Sequence, residues 1–300
     1  MIALRTCRLF CFLFCCLSHA LCAGVAEELT HFLPTDVTHV HWIFSGVVTN
    51  EQGEQYGYFF QMERDGTAFH STAALFDAQT KSVVFQDENR STLDNPLPYR
   101  WQVGHSFLRF NPINDSWVFG VKTEDKKGFN FKIDMLNQPD NHPMEEGLRP
   151  GMAVVVSQTN SLNGHIRLGD GREEQFVTAK HAWFRQMWMT TIQEESHPVS
   201  GVLCHFDDGS GFYSVNLPES DAVRGAMAGR FDTKGSPAEM SQFIHIKQLP
   251  EGPWDIDVPS PNLHVVLSEY IKQNSVIAGF VTGGVAPGFC LLSDDTLGHA

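Results

Sequence analysis

Short segments of alternating apolar and polar residues recur along most of this 300-residue chain, with turn-forming residues between them. Alternation with a period of two places successive side chains on opposite faces of a β-strand. Many short strands at this spacing, bounded by Gly, Asn and Asp, are typical of an antiparallel sandwich or barrel. Helical signals are scarce, so the pattern predicts an all-β fold. The clearest segments in the first half are residues 39–48, 55–64, 82–88, 105–112, 116–123 and 129–136.

The first 23 residues have the pattern of a secretory signal peptide. Arg5 and Arg8 precede an apolar run from Leu9 to Leu17, and small residues follow up to Ala23. This run is short for a permanent anchor, because crossing a bilayer takes about 20 apolar residues. We therefore expect a periplasmic or secreted protein with no stable transmembrane segment after cleavage, and an uncleaved anchor is the alternative.

The strand pattern continues through the second half, and the Pro150-Gly151 break suggests a division of the chain. A boundary is expected between Leu162 and Lys180. The Asn163-Gly164 pair is a common hairpin turn and is interpreted as one here. The predicted organisation is a signal peptide at 1–23, an N-terminal domain at 24–165 and a C-terminal domain at 166–300.

Five of the seven cysteines lie in the predicted signal peptide, which leaves Cys204 and Cys290 in the mature chain. In an oxidising compartment these two can bond only with each other. Two buried, inert thiols are the alternative, and the sequence leaves both open. No Cys-x-x-Cys motif remains, so neither a thioredoxin-like site nor a cysteine zinc site is indicated.

The chain is acidic, with 35 Asp and Glu against 21 Lys and Arg and a net charge of −14. Nucleic acids and anionic lipid surfaces attract clustered basic residues. The longest basic run is Lys126-Lys127. Nucleic acid is therefore excluded as an expected partner, whereas the oligomeric state is left open.

The segment AWFRQMW, residues 182–188, carries one polar residue on each face of a predicted strand. Trp183, Arg185 and Met187 would share one face, and Gln186 and Trp188 the other. Large apolar side chains with a few placed polar groups are typical of a ligand pocket. The alternative is a half-buried strand whose arginine reaches solvent along its own stem.

Motifs for metal or nucleophilic chemistry are weak. His39 and His41 could supply two zinc ligands from one strand face near Asp36, but a third ligand cannot be assigned. Asp207-Asp208-Gly209 is interpreted as a turn, because it lacks the ligands that calcium requires. No G-x-S-x-G elbow or phosphate-binding loop occurs. We predict no metal site and no cofactor, and we assign no catalytic residue.

Several motifs in order resemble the AttH-type and carotenoid 1,2-hydratase (hydroxyneurosporene synthase) proteins. They span nearly the whole mature chain and read HWIFSG, YGYFFQMERDG, HAWFRQMW, HFDDGSGFYSVNL, GPWDIDVP and FVTGGVAPGFCLLS. The resemblance implies two lipocalin-like antiparallel β-barrel or sandwich domains in tandem. It also implies that Trp42, Trp183, Arg185, Gln186 and Trp188 line a ligand site.

The chain departs from that family at its polar landmarks. The acid and the tyrosine expected around Val40 to Ile43 are missing, the expected aspartate is Arg185, and the last motif reads Cys290 to Ser293. Alkene hydration needs a strong acid against the double bond, and a permanently protonated arginine is a very poor proton donor. An arginine can instead pair with a ligand carboxylate or stabilise an enolate-like charge.

These departures favour an exported binder of a hydrophobic small molecule, such as an isoprenoid, a polyene or a fatty acid, without the family's hydratase activity. The alternative is a cofactor-independent lyase, isomerase or cyclase acting on a terpenoid or polyketide-like substrate. A structural module with a filled barrel would satisfy the same patterns. Whether the chain is an enzyme is left open.

Overall fold

The described part of the protein consists of antiparallel β-strands joined by turns and loops, with no α-helix. A computed structural model describes residues 37, 39–135, 146–149, 152–159, 161–169, 173–189, 197–219, 222–242, 244–250, 252–273, 276–284 and 286–297. The strands all lie in the unit Thr38–Ala300, which is distinct from Met1–Val37. The predicted signal peptide and Asp36 fall outside the described residues. No helix in the described part is long and apolar enough to cross a membrane.

The first sheet contains thirteen strands from the first two thirds of the chain. They are β1 (His39–Asn50), β2 (Gln55–Asp65), β3 (Ala68–Asp77), β4 (Ser82–Thr92), β5 (Arg100–Val103), β6 (Ser106–Asn111), β7 (Ser116–Lys122), β8 (Gly128–Asp134), β9 (Glu146–Arg149), β10 (Met152–Thr159), β11 (Leu162–Arg167), β12 (Gln175–Ala179) and β13 (Ala182–Met189).

This sheet curls into a nearly closed barrel. Its strand order is β4-β3-β2-β1-β12-β11-β8-β7-β6-β5, with β13 also paired to β1 and β10 paired to β13. The two ends of the path meet, because β5 lies beside β3 and β4. A hydrogen bond also joins these ends: the backbone N–H of His105, in the turn between β5 and β6, donates to Oδ1 of Asn89 in β4 at 3.3 Å.

One face of the first sheet forms an interior packed with aromatic rings. The ring centroids of Phe44 and Phe119 are 4.1 Å apart, and those of Tyr58 and Phe131 are 5.0 Å apart. Burying such large rings is a major source of stability for a small barrel. The aromatic interior comprises Trp42, Phe44, Tyr58, Phe60, Trp117, Phe119, Phe131 and Phe184, all fully buried.

Two further sheets follow in the last third of the chain. The second sheet contains β14 (His197–Phe206), β15 (Gly211–Glu219), β16 (Ala222–Phe231), β17 (Pro237–Ala238), β21 (Glu269–Gln273), β22 (Val276–Phe280) and β24 (Gly288–Leu297), in the order β17-β16-β15-β14-β24-β22-β21. The third sheet contains β18 (His245–Gln248), β19 (Trp254–Val258), β20 (Leu263–Leu267) and β23 (Gly283–Gly284).

The second sheet is buried on both faces, because it packs between the other two sheets. Alternate residues of β14 separate the two contacts, with Leu203 on one face and Val202 on the other. The inter-sheet core, between the first and second sheets, includes Ile43, Phe59, Phe76, Trp183, Met187, Leu203, Tyr213, Met227, Phe289 and Leu291.

A disulfide joins Cys204 of β14 to Cys290 of β24 across the middle of the second sheet. The two residues are direct register partners with Cα atoms 4.2 Å apart. Both are fully buried in the cluster between the second and third sheets. Of the two alternatives open from the sequence, the structure contains the bonded pair.

The predicted all-β antiparallel class is confirmed, but one predicted turn is wrong. Asn163-Gly164 lies inside β11, where Gly164 pairs with Phe131 and Val177. The glycine serves close backbone packing, because a Cβ at this position would lie 2.1 Å from the carbonyl oxygen of Asn130. The predicted domain boundary at 165/166 also falls within β11, and the first sheet continues to Met189. The division into 24–165 and 166–300 stays a prediction.

Candidate functional site

The segment AWFRQMW forms most of β13, and every residue of that strand is buried. β13 lies between β1 and β10, so both of its edges are paired. Its two faces differ as the alternation predicts. Trp183 and Met187 belong to the inter-sheet core, whereas Phe184 packs in the aromatic interior, with its ring centroid 5.1 Å from that of Phe44.

Trp42, Gln186 and Trp188 lie on the barrel face of their strands. Trp42 and Gln186 are direct partners across β1 and β13. The Trp42 ring centroid is 4.7 Å from that of Trp101 and 6.5 Å from that of Trp117. Three of the five predicted ligand-binding residues are therefore brought to the same side of the first sheet.

Buried polar atoms without a hydrogen-bond partner occur on this barrel face. Trp42 Nε1, Gln186 Nε2 and the Tyr58 hydroxyl have none. Burial raises the pKa of Tyr58 well above its ordinary value, so the phenol keeps its proton and can donate it. Buried polar atoms are nearly always paired in folded proteins, so the unpaired donors of Trp42 and Gln186, which are register partners, indicate a place for an acceptor group. Tyr58 lies opposite Gly46, four positions further along β1 than Trp42. Ser71 Oγ and Thr159 Oγ1 are further examples.

Trp183 and Arg185 lie on the opposite face of β13, against the second sheet. Trp183 Nε1 donates a hydrogen bond to the Cys204 carbonyl oxygen at 2.9 Å, which fixes the indole between the sheets. The guanidinium of Arg185 lies over Gly201 of β14, where a Cβ would come within 2.2 Å of Nη1. Arg185 is only 1% exposed, so the solvent-reaching alternative is wrong. The structure thus separates these two residues from Trp42, Gln186 and Trp188.

A cavity of about 390 Å³ opens at one end of the contact between the first and second sheets. The loop after β12 contributes His181, and β14 contributes His205, with their ring centroids 6.2 Å apart. Nδ1 of each ring is buried and has no hydrogen-bond partner. The remaining lining residues are Val47, Thr49, Gln55, Thr178, Ala179, Lys180, Asp207, Asp208, Gly209 and Thr233.

Burial favours the neutral form of both imidazoles in this cavity. Burial, followed by the neighbouring His181 ring, lowers the pKa of His205 to about 4, while Asp208 opposes the shift. Burial, followed by the charge of Lys180, also lowers the pKa of His181. Burial raises the pKa of Asp207. A neutral imidazole can accept or donate a proton, so the cavity offers groups suited to acid–base chemistry.

Sequence reasoning did not assign this histidine pair. His181 and His205 are 24 positions apart and meet only because the first and second sheets pack together. The sequence signals are faint, a histidine directly before AWFRQMW and another directly before FDDGSG. Asp207-Asp208-Gly209 forms the predicted turn, with the Gly209 N–H donating to the Phe206 carbonyl oxygen at 2.9 Å.

The His39 and His41 pair contacts carboxylates of the neighbouring strand. His39 Nδ1 lies 2.8 Å from Asp65 Oδ1, and His41 Nε2 lies 3.6 Å from Glu63 Oε1. Glu63 also contacts His70, whose pKa is raised chiefly by its hydrogen bond to Glu63. These contacts link β1, β2 and β3 through histidine–carboxylate pairs.

Solved structures share this architecture over most of the chain. A protein from Nitrosomonas europaea, provisionally identified as an AttH, matches with a TM-score of 0.57 and 14% identity, covering 86% of this chain and 93% of its own. Kievitone hydratase from Nectria haematococca matches with a TM-score of 0.59 and 10% identity, over 85% of this chain and 88% of the hydratase chain. CghA matches with a TM-score of 0.52 and 10% identity, over 88% of this chain and 90% of the CghA chain.

The chain has the lipocalin-like fold of these proteins. The predicted resemblance to AttH-type proteins is thereby confirmed at the level of the fold. No protein-family model and no curated protein sequence matches the chain. Sequence identities of 10–14% support a shared fold but not a shared function, so the function has to be argued from this chain's own residues.

Proposed function

We propose that this chain is an exported protein that binds a hydrophobic small molecule, of isoprenoid, polyene or fatty-acid type, in its aromatic interior. The observation that carries the proposal is the pair of unpaired donors on Trp42 and Gln186, which face each other across β1 and β13 among aromatic rings. A third unpaired donor, the Tyr58 hydroxyl, lies further along the same interior. Apolar pockets with a few placed polar groups are the usual form of small-molecule sites. The expected ligand is therefore an extended hydrocarbon with one oxygen function that accepts from the neighbouring donors of Trp42 and Gln186, which are register partners.

Two features support export. The signal-like pattern of residues 1–23 would direct the chain out of the cytoplasm. A buried disulfide between Cys204 and Cys290 fits an oxidising compartment, because thiols are kept reduced in the cytosol. The periplasm or the extracellular space is the proposed location.

Ligand binding is tested by native mass spectrometry after expression in lipid-rich cells, followed by titration with all-trans-retinol, a polyene with one hydroxyl. Gln186→Met removes the unpaired amide at similar volume. We expect it to weaken retinol binding about fivefold, the worth of one hydrogen bond, and to leave the free energy of unfolding within about 1 kcal/mol of wild type. Trp42→Phe should weaken binding by a similar factor.

Trp254→Phe is the matched control, because Trp254 Nε1 is also buried without a partner but lies in the third sheet. It should leave retinol binding unchanged. If the wild-type protein emerges empty and binds neither retinol nor oleic acid saturably, the filled-barrel alternative is right. Equal weakening by Trp254→Phe would place the ligand outside the aromatic interior.

A second candidate function is a cofactor-independent isomerase or lyase, which the His181 and His205 pair favours. One neutral imidazole would remove a proton from a substrate carbon, and the resulting imidazolium would return it to another atom, so no cofactor is needed. The pair lies in a cavity of about 390 Å³, which is within the usual range for small-molecule sites.

The assay for this candidate is incubation with terpenoid and polyene extracts in deuterated water, with mass spectrometry of products and of deuterium uptake. His205→Gln should abolish any conversion by the wild-type protein. His165→Gln changes an exposed histidine on β11 and should convert the same components as the wild-type protein. Failure of the wild-type protein to convert or exchange any component would rule the candidate out.

A further inference from the structure

A cluster of two aspartates and a histidine lies on one face of the third sheet. Asp255 and Asp257 are two positions apart on β19 and so face the same side. His264 of β20 is the direct register partner of Asp257. On the other side of β19, Lys247 is opposite Asp255 and His245 is opposite Asp257. Antiparallel pairing therefore gathers these side chains from three adjacent strands.

The donor atoms of the cluster have the spacing of ligands around one ion. His264 Nδ1 lies 2.8 Å from Asp257 Oδ1 and 3.2 Å from Asp255 Oδ1. One ligand atom from each residue lies within 4.8 Å of the others. Ligands bound at zinc distances in a tetrahedral site are about 3.3 Å apart, so binding needs only small movements.

Asp255 supplies an independent indication of a ligand. The residue is only 5% exposed, yet its Oδ1 accepts no hydrogen bond. Lys247 Nζ contacts the other oxygen, Oδ2, at 3.1 Å. Lys247 compensates the charge of the carboxylate, but a buried oxygen left without a hydrogen bond still carries a desolvation cost. Lys247 therefore orients the carboxylate and leaves Oδ1 directed at the imidazole of His264.

We propose that Asp255, Asp257 and His264 bind one divalent transition-metal ion of the Zn²⁺ class, with water completing the coordination. One imidazole nitrogen with two carboxylate oxygens suits zinc and its neighbours in the first transition row. Calcium would need six to eight oxygen ligands, which this face does not supply. The ion would tie β19 to β20 at the surface of the third sheet, independently of the proposed small-molecule site.

The test is titration of the EDTA-stripped full-length protein with ZnCl₂ by isothermal calorimetry, in the presence of excess Ca²⁺. The wild-type protein should bind one Zn²⁺ through this cluster. His264→Ala and the conservative Asp257→Asn should each weaken that binding at least tenfold. His264 is half exposed, so its loss should leave the fold intact by circular dichroism.

His105→Ala is the matched control, because His105 Nδ1 also lies near a carboxylate, 3.5 Å from Asp87 Oδ1, but in the first sheet. It should leave zinc affinity unchanged. Co²⁺ substitution gives a second measurement, since a tetrahedral nitrogen and oxygen site has a visible absorption that His264→Ala should remove. Unchanged affinity in His264→Ala, equal weakening in His105→Ala, or displacement of Zn²⁺ by Ca²⁺ would overturn the proposal.

Discussion

Reducing the Cys204–Cys290 disulfide should lower the stability of the protein substantially. The bond closes a loop with a sequence separation of 86 residues. In the chain-entropy model, a loop of that length removes about 15 cal/mol/K from the unfolded chain, which corresponds to about 4–5 kcal/mol at 25 °C. Domains typically have 5–15 kcal/mol of stability in total, so this is a large fraction.

The buried position of the two sulfurs makes the measurement specific. Both lie in the cluster between the second and third sheets, so the reduced protein keeps the sulfur atoms and loses only the cross-link. The assay is urea unfolding of the protein with its disulfide formed, followed by tryptophan fluorescence with and without dithiothreitol. Reduction should lower the midpoint and raise the m-value, because the reduced unfolded chain is more expanded.

The double variant Cys204→Ala/Cys290→Ala is the control, and dithiothreitol should not change its midpoint. The variant should be less stable than the reduced wild-type protein, because it also loses the packing of two buried sulfurs. A loss below about 1 kcal/mol on reduction of the wild-type protein would refute the loop-closure reasoning. It would mean that β14 and β24 stay associated in the unfolded chain.

Two further predictions concern pH and backbone packing. Between pH 6.5 and about 4 the unfolded chain binds a proton at His205 while the folded protein does not. The free energy of unfolding should therefore fall by about 2–3 kcal/mol as the pH drops through that window. In urea titrations at a series of pH values, this fall should be absent from His205→Gln and present in His165→Gln. Gly164→Val should destabilise by about 3 kcal/mol or more, because its Cβ would meet the Asn130 carbonyl oxygen at 2.1 Å. Gly53→Val is the control, because Gly53 lies at a turn where a Cβ meets nothing within 4 Å, so the substitution should cost only the strain of a left-handed backbone. Equal losses of unfolding free energy in Gly164→Val and Gly53→Val would contradict the reasoning.

The strands and their faces were accessible from the sequence because they depend on local alternation. Residues 39–48 and 55–64 lie within β1 and β2, and the two faces of AWFRQMW separate as the period of two requires. Asn163-Gly164 was misassigned because a glycine needed for close packing and a glycine needed for a turn look alike in one sequence. Only the approach of the Asn130 carbonyl distinguishes them.

The candidate sites were less accessible, because they depend on contacts between distant strands. His181 and His205 meet only once the first and second sheets pack. The aspartates and His264 of the third sheet are gathered by register, which a single sequence does not specify. The unpaired state of Trp42 Nε1 is a property of three-dimensional packing. The sequence could therefore predict Trp42 and Gln186 as ligand-binding residues, but it could not show that Arg185 lies on the other face of the sheet.

The strand order of the second sheet has a consequence for biosynthesis. Its central strand β14 pairs on one side with β15, its neighbour in sequence, and on the other with β24, which begins at Gly288. During synthesis, one edge of β14 has no partner until that distant segment has left the ribosome. An unpaired apolar edge is prone to aggregation, and pairing of distant strands is slow. Chaperones that hold the emerging chain should therefore matter most after β14 has appeared and before β24 follows.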